Sequence, residues 1–285
     1  MNKTLKIIRS DDIKNKIKEL FISANYFLPD DLSEKISECR ACENNKLAAT
    51  VLERLCDNIE AAKEINVPVC QDTGMAVVFA ELGKEVYIEG DTLEEAINQG
   101  VREAYIDGFM RLSVVKDPLY ERVNTNDNTP AVIYVNTVKG DKLKLSVLPK
   151  GFGSENMSAV KMFTPAATEN DITDFVVDTV RKAGSNPCPP IVIGIGIGGT
   201  FDYCTVLSKK ALLRGINDTN PDANYAILER KILERVNELG IGPQGFGGKT
   251  TALAVKINQA PTHIAGLPVA VNICCHIARH ASTVL

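Results

Sequence analysis

Asn186-Pro-Cys188-Pro-Pro190-Ile-Val-Ile-Gly194-Ile-Gly196-Ile-Gly198-Gly199 is the stretch on which the reading of the fold turns. Pro190–Gly194 is apolar, rich in β-branched residues and closed by glycine, the pattern of a buried strand. A helical period fits Asp171–Lys182 before it. Others fit Tyr203–Leu213 and Tyr225–Leu239 after it, the second stopped by Gly240 as a C-cap. Two further apolar runs, Ala252–Ile257 and Leu267–Ile273, read as buried strands. Strands set among helices predict an α/β body.

Working outward, Ala76–Ala80, Glu85–Ile88, Ala131–Thr137 and Lys142–Leu148 read as strands, with a helix over Leu93–Asp107. The texture changes at Pro68. Upstream, residues 8–64 read as helices: apolar side chains recur at three- and four-residue spacing through Ile13, Ile17, Leu20 and Phe21, and again through Leu47, Val51, Leu55 and Ile59. Asp30-Asp31 and Asn44-Asn45 supply caps between them. The expected fold class is α/β (mixed α+β). A helical N-terminal subdomain (1–66) precedes an α/β body (67–285) with a mixed sheet flanked by helices, together one catalytic unit. No internal repeat or flexible linker divides the chain.

The 285 residues are 45% hydrophobic, enough for one large or two smaller cores. Net charge is −4 without a run of like charge, which argues against nucleic acid as a partner. No stretch approaches the ~18 uncharged apolar residues of a membrane span, and the amino terminus lacks the apolar core of a signal peptide. The expected compartment is the cytoplasm, without membrane association. A reducing cytosol leaves the eight cysteines as thiols, available for metal or catalysis. Cys56 and Cys204, in helix-like apolar stretches, read as packing residues.

Several motifs have rival readings. Gly194–Gly199 formally satisfies the dinucleotide fingerprint, so a NAD-dependent oxidoreductase is one alternative. The prolines at its strand start and the want of a second parallel strand ending in Asp218 or Asp222 weigh against it. The glycines otherwise make a tight strand-to-helix turn, or let backbone approach a bulky group or an anion. Gly245-Phe-Gly-Gly248-Lys249-Thr250 fails the phosphate-loop spacing, since Pro243 stands where a glycine is required. Lys249 is then either a carboxylate contact or a solvated lysine. Cys39-Arg-Ala-Cys42 has no second pair, and His276 and His280 beside Cys274 and Cys275 suit a zinc site that would leave Cys70 and Cys188 unexplained. A non-catalytic zinc- or cluster-binding scaffold is therefore a further alternative. Gly151-Phe-Gly153-Ser154-Glu155-Asn156 suits a loop presenting N–H groups to an anion, or an ordinary turn with Ser154 as helix cap. The Asn124–Pro130 loop and Arg111 are ambiguous on spacing alone.

Three cysteines stand apart. Cys70 opens Cys-Gln-Asp-Thr-Gly (70–74), Cys188 lies among prolines, and Cys275 ends the pair in Val271-Asn-Ile-Cys-Cys-His276. Three thiolates from distant segments can hold an iron–sulfur cluster and leave one iron open as a Lewis acid. In this order, Cys70-Gln-Asp72-Thr-Gly, Asn124-Thr-Asn-Asp-Asn-Thr-Pro130, Gly153-Ser-Glu-Asn156, Cys188–Gly199, Thr262-His263-Ile-Ala-Gly-Leu-Pro268 and Cys274-Cys-His-Ile-Ala-Arg-His280 resemble class I fumarases from about residue 45 onward.

The chain is similar to the alpha subunit of a two-subunit class I fumarate hydratase, or of the closely similar L(+)-tartrate dehydratase. The resemblance implies a [4Fe-4S] cluster on Cys70, Cys188 and Cys275. Neighbours on a strand point oppositely, so Cys274 and Cys275 are not both ligands, and Cys275 is preferred because its following residues, with Arg279 four on, fit the family pattern better. It implies Asp72 and His263 in the acid–base network, and Gln71, Arg111, the Gly153 N–H and Lys249 as holders of a small dicarboxylic acid. In single-chain members further arginines, a lysine and a catalytic threonine come from a C-terminal domain. The resemblance implies that a separate beta subunit supplies them here, in a dimer of alpha–beta pairs.

Overall fold

The computed structural model describes residues 5–285; Met1–Thr4, where the reading of the amino terminus begins, lie outside the described residues. The chain is a mixed α/β protein that divides into two units, each with its own sheet and core. One takes in the described residues up to Pro29, Ala61–Gly151 and Arg279–Leu285; the other takes in Asp30–Glu60 and Phe152–Ala278.

In the first unit, β2 (Met75–Gly83) lies between β4 (Val132–Val138), parallel to it, and β5 (Leu143–Lys150), antiparallel; β10 (Ala281–Val284) closes the other edge against β5. A two-stranded parallel sheet joins β1 (Lys6–Arg9) to β3 (Val86–Glu89). Against the larger sheet pack α1 (Ser10–Tyr26) and α4 (Leu93–Asp107), the latter started by a Thr92–Glu95 capping box. Their period-3.6 stripes, Ile13, Ile17 and Phe21 with Ile97, Val101 and Tyr105, meet alternate residues of β2 and β5 in the core. Gly100 allows the two helices to touch: a Cβ there would stand 2.5 Å from the Lys14 carbonyl oxygen.

The second unit is built on the opening stretch. β7 (Ile191–Gly199) continues through the glycines, with a register shift at Gly198/Gly199, and pairs with β8 (Ala252–Thr262) in parallel and β9 (Leu267–Cys274) antiparallel, with β6 (Ala159–Phe163) beyond β9. The period of 2 sorts the strands into two unlike faces. Ile191, Ile193, Ile195 and Ile197 point with Val255, Ile257, Val271 and Ile273 toward α6 (Glu169–Ala183) and α8 (Ala223–Asn237) and form the apolar core. Gly194 and Gly196 share the other face with Lys256, Asn258 and Asn272, their ladder partners.

That second face receives α7 (Phe201–Ala211). A Cβ on Gly194 would stand 2.1 Å from the Ser208 carbonyl oxygen, and one on Gly196 only 1.9 Å from that of Cys204. This corrects the expectation of a glycine turn at 194–199. The strand continues five residues further, and its glycines admit a helix rather than a dinucleotide. Also in this unit are α2 (Asp30–Cys42) and the start of α3 (Lys46–Ile65), which ends in the other unit. Asn45 caps α3 as expected, accepting from the Leu47 N–H at 3.0 Å. No helix among the described residues is long and apolar enough to cross a membrane.

Candidate functional site

In the first unit the Cys70–Gly74 loop is held from three sides. Asp72 Oδ1 accepts from the Gly74 N–H at 3.1 Å, a local turn. Gly74, at φ +80°, lies so close to the end of β5 that a Cβ would meet the Lys150 nitrogen at 2.7 Å. Arg111 is fastened by its backbone: its N–H donates to the Thr73 hydroxyl at 3.0 Å, leaving its guanidinium exposed. Cys70, Gln71, Asp72 and Arg111 are thus brought together within this unit.

Beneath the loop lie two buried cations that spacing did not single out as part of a site. Arg279 (2% exposed) donates through Nη2 to the Asp72 carbonyl and through Nε to that of Pro149. Lys150 is fully buried, with Nζ donating to the Gly151 carbonyl at 3.3 Å. A Cβ on Gly151 would lie 2.9 Å from Asp72 Oδ2, so glycine leaves that carboxylate its room. Tyr105 donates to the carbonyls of Thr73 and Gly74, each at 2.9 Å. Burial pushes its phenol far above the ordinary value; the Arg279 charge opposes this and the Asp72 charge adds to it. The Asn124–Pro130 loop proves structural in part: Asn128 donates to the Gly74 carbonyl at 3.2 Å and accepts from the Ser113 N–H at 2.8 Å.

In the second unit the two other cysteine segments meet before the start of β7. Cys188, at φ +53°, sits in the left-handed region with its side chain exposed. Its carbonyl oxygen lies 2.9 Å from His276 Nδ1. The Lys249 loop joins them, since Gln244 donates from its backbone N–H (2.7 Å) and its Nε2 (2.8 Å) to the Pro189 carbonyl. Glu43 fixes the far side of that loop by accepting from the Lys249 N–H at 2.8 Å. Gly153 is exposed in the single helical turn α5 (Phe152–Glu155); a Cβ there would have the Asn186 carbonyl oxygen, at 4.0 Å, as its nearest neighbour. Ser154 lies inside that turn and is buried, so it is not the helix cap its type suggests.

His263 is not brought to this group within the unit. It follows β8, whose last residue pairs with Gly199, the last of β7; Cys188 precedes the first residue of β7. Nine residues of strand separate the two ends, on the order of 25 Å. His263 is exposed and accepts from the Ala265 N–H at Nδ1, 3.1 Å away.

The two neighbouring thiols differ sharply. Cys274 is buried in the ladder opposite Val192, whereas Cys275 lies beyond the strand and is partly exposed. Cys70, Cys188 and Cys275 are all reduced and at least partly open, the state a cluster ligand requires. Among the described residues, no three His, Cys, Asp or Glu side chains are grouped as ligands of one metal ion. A cluster asks for a different arrangement, because each cysteine binds its own iron rather than a shared centre. The donor set fits such a group.

A model of the fumarate hydratase (Fumerase) family matches residues 14–284. A protein of Methanocaldococcus jannaschii, provisionally named L(+)-tartrate dehydratase subunit alpha, is 40% identical over 273 residues, 94% of this chain and 96% of the relative. The L(+)-tartrate dehydratase alpha subunit of Escherichia coli O157:H7 is 31% identical across 90% of this chain and 84% of its own length. That of Escherichia coli K12 is 30% identical with the same coverage. The chain is therefore of the hydro-lyase class, enzymes that add water to a carbon–carbon double bond or remove it to form one. The chain is a member of the fumarate hydratase family, of the alpha-subunit type.

Proposed function

We propose that this chain is the cluster-bearing subunit of a hydro-lyase that interconverts fumarate and L-malate in the cytoplasm, together with a separate beta subunit. The observation that carries this reading is the meeting of the Cys188, Gly153, Lys249 and Cys275 segments at one end of the second sheet. Cys70, Cys188 and Cys275 would hold a [4Fe-4S] cluster through three of its irons. When bound, the cluster supplies a Lewis acid that weakens the bond from carbon to the departing hydroxyl.

This chain's own groups supply the rest. The exposed Arg111 guanidinium matches a carboxylate in a bidentate manner, and its backbone anchor on Thr73 fixes where it starts. The Gly153 N–H, Gln71 and Lys249 hold the remaining substrate oxygens. Asp72 and His263 hold and move the proton of the neighbouring carbon. Exposure of His263, far along the sheet from Cys188, supports a dimer of alpha–beta pairs in which one copy's histidine serves the site of another.

A second reading, L(+)-tartrate as substrate, is favoured by the names of the relatives. The test is anaerobic assay of the chain alone and paired with its beta subunit, on L-malate and L-tartrate side by side. Faster turnover of L-malate by the brown, iron-containing pair supports the first reading, and faster turnover of L-tartrate the second. Full turnover by an iron-free chain would refute both.

A further inference from the structure

The turn that carries Gly153 is very short. One helical turn has no stability of its own, because nucleation is unfavourable and only one or two bonds reward it. Something else must hold the Gly153 N–H in place. Glu155 builds a device that does so.

The Glu155 carboxylate faces two elements at once. Oε1 accepts from Lys209 Nζ of α7, and Oε2 accepts from Asn272 Nδ2 of β9 at 3.0 Å. The side chains are largely withdrawn from solvent, at 24% exposure for Glu155 and 13% for Lys209, with Asn272 buried. Three residues on, Ser158 Oγ accepts from the Ile273 N–H at 3.2 Å, so the segment is fixed to β9 twice. The glycines of β7 make this reach possible. Asn272 is the ladder partner of Gly194, and the missing Cβ at Gly194 lets the Ser208 backbone, beside Lys209, lie on that same face.

A withdrawn ion pair is a poor source of stability, since apolar residues of like volume often serve as well. What it provides is direction: a carboxylate that accepts from a cation on one element and an amide on another is held in an orientation in which both bonds are good. We propose that Lys209 and Asn272, acting through Glu155, are positioning residues for substrate binding: they set the Gly153 N–H against a substrate carboxylate. This rests on the reading of Gly153 as a substrate contact.

The test uses the assembled alpha–beta enzyme. The double variant E155Q/K209M keeps volume and removes both charges of the pair together, so neither is left without the other. KM for L-malate is expected to rise at least about tenfold while kcat stays within about threefold. Iron content should be unchanged and the melting temperature should stay within about 3 °C. The dissociation constant of succinate, an unreactive four-carbon dicarboxylate, measured by calorimetry should rise by the same factor as KM. Lys209→Arg, which retains the pair, should restore tight succinate binding where Lys209→Met loses it.

Gly153→Ala separates the proposal from its foundation. There is room for the methyl, so the fold should tolerate it, while the close approach of a ligand is lost. Unchanged succinate affinity in Gly153→Ala would remove the reading of Gly153, and the brace with it. A loss of affinity in Gly153→Ala with none in E155Q/K209M would leave that reading standing and overturn the brace alone.

Discussion

Gly196→Ala is the substitution whose outcome most directly tests how the second unit is built. The added Cβ would lie 1.9 Å from the Cys204 carbonyl oxygen, 2.7 Å from the Ser208 nitrogen and 2.9 Å from the Cys204 carbonyl carbon. Real Cβ atoms essentially never approach closer than 3.0 Å, so α7 must retreat by about 1.1 Å or the strand must bend. All three obstructing atoms are backbone, and no side-chain rotation relieves them. Overpacking costs about 1–3 kcal/mol, and a backbone obstruction belongs at the upper end, about 3 kcal/mol. At ~2–4 °C per kcal/mol for a protein of this size class, melting should fall by roughly 6–12 °C.

The assay is thermal and urea unfolding of the purified chain, with Gly266→Ala as control. Gly266 has no atom within 4 Å of its virtual Cβ and lies outside the left-handed region, so its substitution should change little. If Gly196→Ala melted within about 1 °C of the parent chain, the close packing of α7 on a glycine track would be wrong. The glycines would then need another purpose, and a ligand against the β7 backbone would return as an explanation.

Three other outcomes follow from the geometry. Mixing a His263→Asn chain with a Cys70→Ser chain should restore about a quarter of parental activity through mixed dimers, while either alone is inactive; no recovery would mean that His263 serves its own chain's site or none. Cys275→Ser should lose most of the iron retained after anaerobic reconstitution and Cys274→Ser should keep it, read by iron and sulfide analysis; the reverse would exchange the ligand assignment. Burial opposes ionisation of Glu43, but the N–H donors of Asn45, Lys249 and Asn44 together outweigh it and hold the carboxyl below its ordinary 4.5. Its contribution is therefore complete above that value and lost as pH falls through it, so Glu43→Gln should flatten the decline in urea stability between about pH 6 and 3.

Much of the fold is legible from periodicity. The helix Leu93–Asp107 is found with its expected bounds, and the apolar runs at 76–80, 131–137, 142–148, 252–257 and 267–273 lie on strands to within one residue. These are segments whose pattern reports burial on at least one face. The strands that escaped are β1, β6 and β10, of four, five and four residues, largely exposed and held by one partner strand each. Nothing in so short and exposed a stretch distinguishes a sheet edge from a loop. The glycine stretch misled for a different reason. Its sequence satisfies a loop fingerprint, yet the space opposite Gly194 and Gly196 is filled by a helix that returns from beyond the strand, a contact that local pattern does not encode.

The site is legible only where residue type carries its chemistry. Cysteines among prolines and a Cys-Gln-Asp turn stand out; Lys150, Arg279, Tyr105 and Glu155 do not, because their importance lies in what covers them. Lys256, Asn258 and Asn272 show why. Each alternates with Val255, Ile257, Val271 or Ile273, so these strands read simply as buried, although their two faces have opposite characters. The isoleucine face gains its free energy from burial, without regard to direction. The glycine face gains little that way, but its polar groups bond in fixed directions: Lys256 to the Ile216 carbonyl at 2.7 Å, Asn258 to that of Leu207 at 3.2 Å, Asn272 to Glu155. One side of the sheet thus supplies cohesion and the other supplies aim. It follows that apolar substitutions on the first face should report in unfolding, whereas a substitution of Asn272 on the second should report first in the placement of the turn that carries Gly153.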